Sequence, residues 1–255
     1  MEQDVEPLEA RVALIIFSRA PKPGQSKTRL ATVVGEHAAS AFHAVCLRDL
    51  MRLQAELSAR LAKSNPPVEL DTYIFHPPGD DLTHFAQAGV NLPPLIHGAK
   101  QSGDTMGERM AHAIQTVLDG SPAGTPALLI GSDVPLLEMD DLAQALEALK
   151  DADVVLGPSS DGGYYLIGLT QPRPGLFALK DWSTPTVLEQ TIEKAKVAGW
   201  KLAMLETLPD VDTAEDLEKV RNHPRADTLQ DREGVRMTQV LAMQVAAKAG
   251  TESAN

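Results

Sequence analysis

Short apolar runs alternate along this chain with amphipathic stretches of helical period, and this alternation constrains the fold more than any other feature. The most apolar runs lie at 12–17, 127–131 and 154–158, and each has the length of a buried strand. Between them apolar residues recur at helical spacing, most clearly over 36–63. Strands that alternate with helices require right-handed crossover connections. The sequence therefore predicts a three-layer α/β/α fold with a mostly parallel sheet.

The remaining elements follow from the same two periodicities and from the turn residues between them. Further strands are predicted at 68–75, 95–97, 164–169 and 201–205. Further helices are predicted at 28–34, 82–88, 101–118, 140–149, 183–199 and 214–220.

The C-terminal tail has a different character. Residues 221–255 begin with a polar, linker-like stretch and continue with a helix predicted over 235–249. We therefore expect one domain over 1–220 that is followed by a linker and a C-terminal helix. One face of this helix carries Val240, Met243 and Ala247. It packs either on the domain or on a second subunit, which leaves a homodimer open.

Composition excludes several classes of function. Asp and Glu number 35 against 23 Lys and Arg, and the net charge of -12 argues against binding to a nucleic-acid backbone. The single cysteine, Cys46, cannot form an internal disulfide, which is typical of a reducing cytoplasm. Residues 1–6 are acidic and lack the basic and apolar regions of a secretory signal. No apolar run reaches the ~20 residues that cross a bilayer. We expect a cytoplasmic protein without nucleic-acid or membrane partners.

A basic loop follows the first predicted strand. The chain has no acidic residue between Arg11 and Gly35. The basic residues there are Arg11, Arg19, Lys22, Lys27 and Arg29. A strand that leads into a basic loop at the carboxyl edge of an α/β sheet is typical of phosphate binding. A solvated basic turn is the alternative, and the flanking strand and the local lack of acids favour phosphate binding.

Asp133 follows the apolar strand at 127–131, where an unpaired carboxylate would be costly. A Mg²⁺ or Mn²⁺ ion would satisfy it, because hard cations bind carboxylate oxygens and bridge to substrate phosphates. The alternative is a turn or N-cap aspartate. Asp212 is the candidate for a second ligand, since it too lies between a predicted strand and a helix. Asp210 and Asp216 compete with it, and the pattern favours an exposed helical position for Asp216.

A glycine-rich turn supplies a further candidate. The two glycines that follow Asp161 would let a ligand approach the backbone closely. A P-loop NTPase is excluded, because its motif requires glycine at the positions of Pro21 and Ser26. Four loops follow strands or open helices, and we expect them to meet at one edge of the sheet. These loops are 19–29, 101–109, 132–135 and 161–164.

Six motifs in order resemble those of one family. They are FSRAP…G…KTRL over 17–30, GD…GERM over 103–110, GSDVP over 131–135, GP…DGGYY over 157–165, WST over 182–184 and DVDT over 210–213. The chain is thus similar to the glycosyltransferase-like family that groups with the molybdenum-cofactor and 2-phospholactate guanylyltransferases. Its members are also labelled nucleotide-diphospho-sugar transferases or arsenosugar-biosynthesis glycosyltransferases. The resemblance spans residues 12–217 and implies a GT-A-type, Rossmann-like nucleotide-diphospho-sugar transferase fold. Ser18 and Val134 stand where alanine and cysteine are common in the family.

The resemblance also implies roles for individual residues. Asp133 and Asp212 would hold Mg²⁺ or Mn²⁺, and Lys27 and Asp133 would take part directly in catalysis. Lys27, Arg29 and Arg19 would neutralise the phosphates of a nucleotide. The full set predicted to bind the nucleotide and its phosphates is Arg19, Pro21, Gly24, Lys27, Arg29, Gly103, Asp104, Arg109, Ser132, Asp161, Gly162 and Gly163.

Three functions are compatible with these residues. The first is metal-dependent nucleotidyl transfer from a nucleoside triphosphate to a small phosphorylated, and hence anionic, acceptor, with release of pyrophosphate. The second is glycosyl transfer from a nucleotide-diphosphate sugar, although the usual D-x-D motif is absent at 132–134 and present instead at 210–212. The third is a nucleotide-binding module without catalysis. The basic loop favours the first, because a triphosphate needs more positive charge than a diphosphate.

Overall fold

The computed structural model describes residues 10–182 and 184–252, and the described residues form one seven-stranded sheet with helices on both faces. The strands are β1 (Ala10–Phe17), β2 (Val68–His76), β3 (Ile96–Lys100), β4 (Ala127–Ile130), β5 (Val154–Pro158), β6 (Tyr164–Leu169) and β7 (Leu202–Met204). The helices are α1 (Thr28–Val34), α2 (Glu36–Ala62), α3 (Leu82–Gln87), α4 (Met106–Asp119), α5 (Met139–Ala148), α6 (Val187–Val197), α7 (Ala214–Arg221), α8 (Arg225–Thr228) and α9 (Glu233–Glu252). A short 3₁₀ turn spans Pro174–Phe177.

The sheet order is β3-β2-β1-β4-β6-β5-β7, and the sheet is mostly parallel, as predicted. The exception is β6, which runs antiparallel to both β4 and β5. The connection from β5 to β6 covers only residues 159–163, which is too short for the crossover that a parallel pair needs. The chain therefore turns back in a hairpin, and the hairpin loop lies at the carboxyl end of β5.

Two apolar cores flank the sheet, because the side chains of a strand alternate between its faces. Leu14 and Ile16 of β1 belong to the core beneath α2, α5, α7 and α9. Ala13 and Ile15 belong to the core on the other face, beneath α4 and α6. This arrangement confirms the three-layer α/β/α architecture.

The tail packs on the helices of the same sheet. Val235, Leu241 and Ala242 of α9 are buried in the core that contains α2 and α7. Asp49 of α2 accepts hydrogen bonds from the backbone N–H of Gly234 (2.7 Å) and of Glu233 (3.2 Å) at the start of α9. Of the two packing modes left open by the sequence, packing on the domain is therefore present.

The buried face of α9 is not the one expected. Val240 and Met243 are exposed, and so is Ala247. The linker-like stretch contains α8, whose Arg225 forms ion pairs with Asp141 of α5 (2.7 Å) and with Glu206.

Two helices begin later than predicted. Helix α4 begins at Met106, five residues after the predicted start at residue 101. Helix α6 begins at Val187, four residues after the predicted start; Ser183 itself lies outside the described residues. Over residues 10–182 and 184–252, no helix combines the length and the apolar character needed to span a membrane.

Candidate functional site

A cavity of about 540 Å³ opens at the carboxyl edge of the sheet, where β1, β4 and β5 end. The predicted site residues that line it are Arg29, Ser132, Asp133, Asp161, Gly163 and Asp212. They come from loops that are distant in sequence and meet because parallel strands end at the same edge.

Lys27 is the central cation of this site. Its Nζ lies 2.6 Å from Oδ2 of Asp133 and 2.8 Å from Oδ1 of Asp212. Arg29 donates to the other carboxylate oxygen of Asp212. Lys27 has φ 50° and ψ 45°, and no other non-glycine residue of the described chain has positive φ. A strained backbone conformation persists only where surrounding contacts hold it in place. Here both carboxylates hold the ammonium group of Lys27.

The charges of these side chains shift one another's pKa values. Burial alone would lower the pKa of Lys27, but Asp133 and Asp212 outweigh it and raise that pKa above its ordinary value. Burial opposes ionisation of Asp212, yet Lys27 and Arg29 hold its pKa below the usual range. Lys27 and Asp212 are therefore both charged at neutral pH.

The pKa of Asp210 is shifted in the opposite direction to that of Asp212. Burial first, and then the negative charges of Asp133 and Asp161, raise its pKa to about 7. Asp210 lines the cavity and therefore carries a proton in part of the molecules at neutral pH.

A backbone hydrogen bond brings the acidic loops together. The N–H of Val211 donates to the carbonyl of Asp133 (3.0 Å), and the Val211 side chain is fully buried. Asp216 accepts from the backbone N–H of Thr213 (2.8 Å) and of Asp212 (3.1 Å). Asp216 is buried, so the prediction of an exposed helical position was wrong. Its carboxylate caps α7 and holds the turn that presents Asp212.

Asp80 holds the basic loop and was missed by sequence reasoning. Its carboxylate accepts from the backbone N–H of Ala20 (2.9 Å) and pairs with Nζ of Lys22 (2.5 Å). Arg19 donates to the carbonyl of Gln25 (2.7 Å) and so bridges the two ends of the loop. In sequence Asp80 is an ordinary turn residue, and no pattern distinguishes it. The predicted residues Arg19, Pro21 and Gly24 lie in this loop, outside the cavity lining.

The predicted residues at 103–109 lie at the start of α4. Nε of Arg109 donates to the carbonyl of Gly103 (2.9 Å), and its guanidinium also reaches the carbonyl of Asp104 (3.4 Å). Thr105 and Glu108 form a capping box there. Gly103, Asp104 and Arg109 do not line the cavity, whereas Met106 and Met110 of the same helix do.

The β5–β6 hairpin loop presents Asp161 to the cavity. Oδ1 of Asp161 accepts from the backbone N–H of Gly163 (2.8 Å) and from the hydroxyl of Ser159. Gly162 has φ 90°, and a Cβ at that position would lie 2.0 Å from the carbonyl oxygen of Pro185. Only glycine permits this close approach.

Aromatic side chains form another part of the cavity lining. Trp182 packs edge-on against Tyr164, with ring centroids 6.4 Å apart, and stacks on Phe177. Gly107 makes room for it, since a Cβ there would lie 2.5 Å from Nε1 of Trp182. Sequence reasoning noted Trp182 only within a motif. A glycine at the second position of an otherwise regular helix was the signal that it could have used.

Ser132 belongs to a buried polar cluster behind the cavity. Its hydroxyl lies 2.9 Å from the hydroxyl of Ser18 and 3.1 Å from Nε2 of His43. Burial, with the nearby charges of Lys27 and Arg19, lowers the pKa of His43 to about 3. The histidine is therefore neutral, and the Ser132 hydroxyl faces it.

Asp133 and Asp212 are the residues of this site that could hold a hard cation. No group of three or more His, Cys, Asp or Glu side chains in the described residues is arranged to enclose a metal ion. Mg²⁺ needs only one or two carboxylates when phosphate oxygens and waters complete its shell. Oδ1 of Asp133 lies over Gly131, where a Cβ would come within 3.1 Å of it. Lys27 and Arg29 occupy the Asp212 oxygens, so a cation there would require Lys27 to turn away.

Three comparisons with known proteins show what this chain is similar to. Residues 61–184 match the family described as uncharacterized proteins conserved in bacteria (DUF2064). The crystal structure of a Desulfovibrio desulfuricans G20 protein, assigned provisionally as a nucleotide-diphospho-sugar transferase, superposes with a TM-score of 0.77 at 30% identity. That match covers 92% of this chain and 97% of the other.

A curated relative matches over a shorter stretch. The 2-phospho-L-lactate guanylyltransferase of Methanopyrus kandleri is 38% identical over 97 residues. The match covers 35% of this chain and 46% of that enzyme, so less than half of the relative is spanned.

Proposed function

This chain belongs to the glycosyltransferase-like, nucleotide-diphospho-sugar transferase family that its motifs indicate, and from that premise we propose that it is a metal-dependent nucleotidyltransferase. The reaction would move a nucleoside monophosphate from a nucleoside triphosphate to a small acceptor and release pyrophosphate. The relative named as a guanylyltransferase supports the nucleotidyl reaction and makes GTP the first triphosphate to test.

The observation that carries this proposal is the pairing of the buried Lys27 side chain with Asp133 and Asp212, two carboxylates that line the cavity. A cation held between two carboxylates is poised to exchange partners. With a triphosphate and Mg²⁺ bound, Asp133 and Asp212 would hold the metal, and the ammonium group of Lys27 would pair with a phosphate. No buried charge of the site is then left without a partner.

Each residue has a defined part in this scheme. Asp133, with Asp212, would hold Mg²⁺, which would supply Lewis-acid stabilisation of the phosphates. Lys27 and Arg29 would bind phosphate oxygens and stabilise charge that develops on pyrophosphate as it leaves. An acceptor oxygen would attack the α-phosphorus in line, so that one P–O bond forms as the bond to pyrophosphate breaks. Positioning and electrostatics would provide most of the catalysis, and no side-chain nucleophile is needed.

Glycosyl transfer from a nucleotide-diphosphate sugar is the second candidate. The observation in its favour is the apolar wall of Met106, Tyr164 and Trp182, on which the face of a sugar ring could pack. The two reactions share the nucleotide and the metal, and they differ in the bond that breaks.

One assay distinguishes the candidates. Purified protein is incubated with Mg²⁺ and each of the four nucleoside triphosphates, with phosphorylated and unphosphorylated acceptors in parallel. Pyrophosphate that appears only with an acceptor supports nucleotidyl transfer. Nucleoside diphosphate released from UDP- or GDP-sugars supports glycosyl transfer instead. Nucleotide binding with neither product supports a binding module without catalysis.

Asp133→Asn is the matched negative control, because it keeps the shape of the side chain and removes its charge. We expect it to slow product formation about 10²–10³-fold, whichever bond breaks. Full activity of this variant with an unchanged Mg²⁺ requirement would show that the metal and the chemistry lie elsewhere.

A further inference from the structure

The cavity has two walls of different chemistry. One wall is acidic, and its carboxylates belong to Asp133, Asp161, Asp210 and Asp212. The other is apolar, and its side chains include Met106, Met110, Tyr164 and Trp182. Among the residues that line the cavity, all of which the structure describes, Arg29 is the one cationic side chain.

The cationic side chains near the cavity already form ion pairs with the two carboxylates that we assign to nucleotide and metal binding. Arg29 and Lys27 both pair with Asp212, and Lys27 also pairs with Asp133. Asp161 and Asp210 have no such partner: neither forms an ion pair with a described residue. A second phosphate or carboxylate placed beside them would meet two acids and no cation. Because like charges repel, this part of the lining disfavours a second anion.

Asp161 is oriented to receive a donor. Its Oδ1 is held by the backbone N–H of Gly163 and by the hydroxyl of Ser159. Its Oδ2 accepts no hydrogen bond from the described residues, and the side chain lines the cavity. A carboxylate oxygen that is fixed and free in this way is an acceptor for a hydroxyl group.

The apolar wall is closely packed. Trp182 is set against Gly107 of α4 and packs against Tyr164 and Phe177. The adjacent hairpin is held to the following segment, because the N–H of Leu188 donates to the carbonyl of Gly162 (2.9 Å). A preformed aromatic face of this kind favours a ligand with an apolar side, such as a sugar ring.

We infer that the acceptor of this transferase is an uncharged alcohol with an apolar face, whose hydroxyl donates to Oδ2 of Asp161 while its apolar face packs on Trp182. The inference rests on the proposed function and replaces the phosphorylated acceptor that the family resemblance implied. The alcohol oxygen forms the new bond to the α-phosphorus, the bond to pyrophosphate breaks, and the hydroxyl proton passes to Asp161 and then to solvent.

The test measures binding of a matched pair of probes, phenyl β-D-glucopyranoside and its 6-phosphate. The chain has two tryptophans, so Trp200→Phe leaves Trp182 as the single fluorescent reporter inside the cavity. Trp200 lies elsewhere, under the guanidinium of Arg173 at 4.5 Å. The protein is first saturated with Mg²⁺ and an α,β-methylene nucleoside triphosphate, and each probe is then titrated. We expect the uncharged probe to bind at least tenfold more tightly than its phosphate.

Two variants identify the group responsible. Asp161→Asn retains the shape of the side chain and removes its charge, and it should reduce the preference to less than threefold, mainly by strengthening binding of the phosphate. Asp140→Asn removes a carboxylate that is 83% exposed on α5, away from the cavity lining, and should leave the preference unchanged.

The outcomes separate the inference from the proposed function. Equal or tighter binding of the phosphate, or no binding of either probe to nucleotide-loaded protein, overturns the inference and leaves nucleotide binding intact. Failure of every nucleotide to bind with Mg²⁺ overturns the proposed function and the inference with it.

Discussion

Replacement of Lys27 by methionine tests the ionic core of the site most directly. Methionine has a similar length and no charge, so the variant removes the cation from between Asp133 and Asp212. The Lys27 side chain is 7% exposed, and each carboxylate is 29% exposed. Removing one partner of a buried ion pair costs about 3–5 kcal/mol. Since Arg29 still pairs with Asp212, we expect a loss at the lower end, about 3 kcal/mol at pH 7.

The loss should depend on pH. The pKa of Lys27 is raised, so its stabilising effect is present at all pH values below the pKa of an unfolded lysine. The pKa of Asp212 is lowered, so its contribution is present above the pKa of an unfolded aspartate and is lost as pH falls through the folded value. In the variant, protonation of the carboxylates relieves their repulsion. The stability difference between the two proteins should therefore shrink as pH falls from 7 towards 4.

Urea denaturation followed by far-UV circular dichroism measures both quantities. Lys150→Met is the control, because Lys150 pairs with Glu147 on the surface, with side chains 68% and 73% exposed. An exposed pair contributes at most about 1 kcal/mol. The reasoning is refuted if Lys27→Met loses no more stability than the control, or if its loss is the same at pH 7 and pH 4.

Three further results are expected. Asp133→Asn should lower the turnover number about 10²–10³-fold in steady-state kinetics, and it should lower the melting temperature less than Lys27→Met does, because Lys27 still pairs with Asp212; a tenfold effect or less on turnover would contradict its role. The Cβ that Gly107→Ala adds would lie 2.2 Å from the carbonyl oxygen of Phe177, so this variant should displace Trp182 and lower the free energy of unfolding by about 1–3 kcal/mol. A lower melting temperature and altered tryptophan fluorescence would show both effects. The pKa of Asp210 is raised to about 7, so the wild type should lose stability relative to Asp210→Asn as pH rises from 4 to 7, and should lose no more above pH 7. Urea denaturation with a metal chelator present measures this difference. Parallel curves of stability against pH for the two proteins would contradict the prediction.

Local patterns predicted most of the fold because each element carries its own periodicity. The apolar runs at β1, β4 and β5 and the long helix α2 were recognised within two residues of their bounds. The direction of β6 was also contained in the sequence, as the length of the connection at 159–163, and was overlooked. The same local reading failed for α9, whose buried face depends on which surface of the domain it meets.

The sequence by itself determined the class of fold, the family, and the loops that meet at one edge, because periodicity, motif order and strand direction are properties of the chain. Only the tertiary structure decided which charges face one another. The pairing of Lys27 with Asp133 and Asp212 joins residues separated by 106 and 185 positions. The support of the basic loop by Asp80 and the aromatic wall around Trp182 are decided in the same way. Contacts across such separations depend on packing and on the cost of burying an unpaired charge, neither of which any stretch of sequence encodes locally.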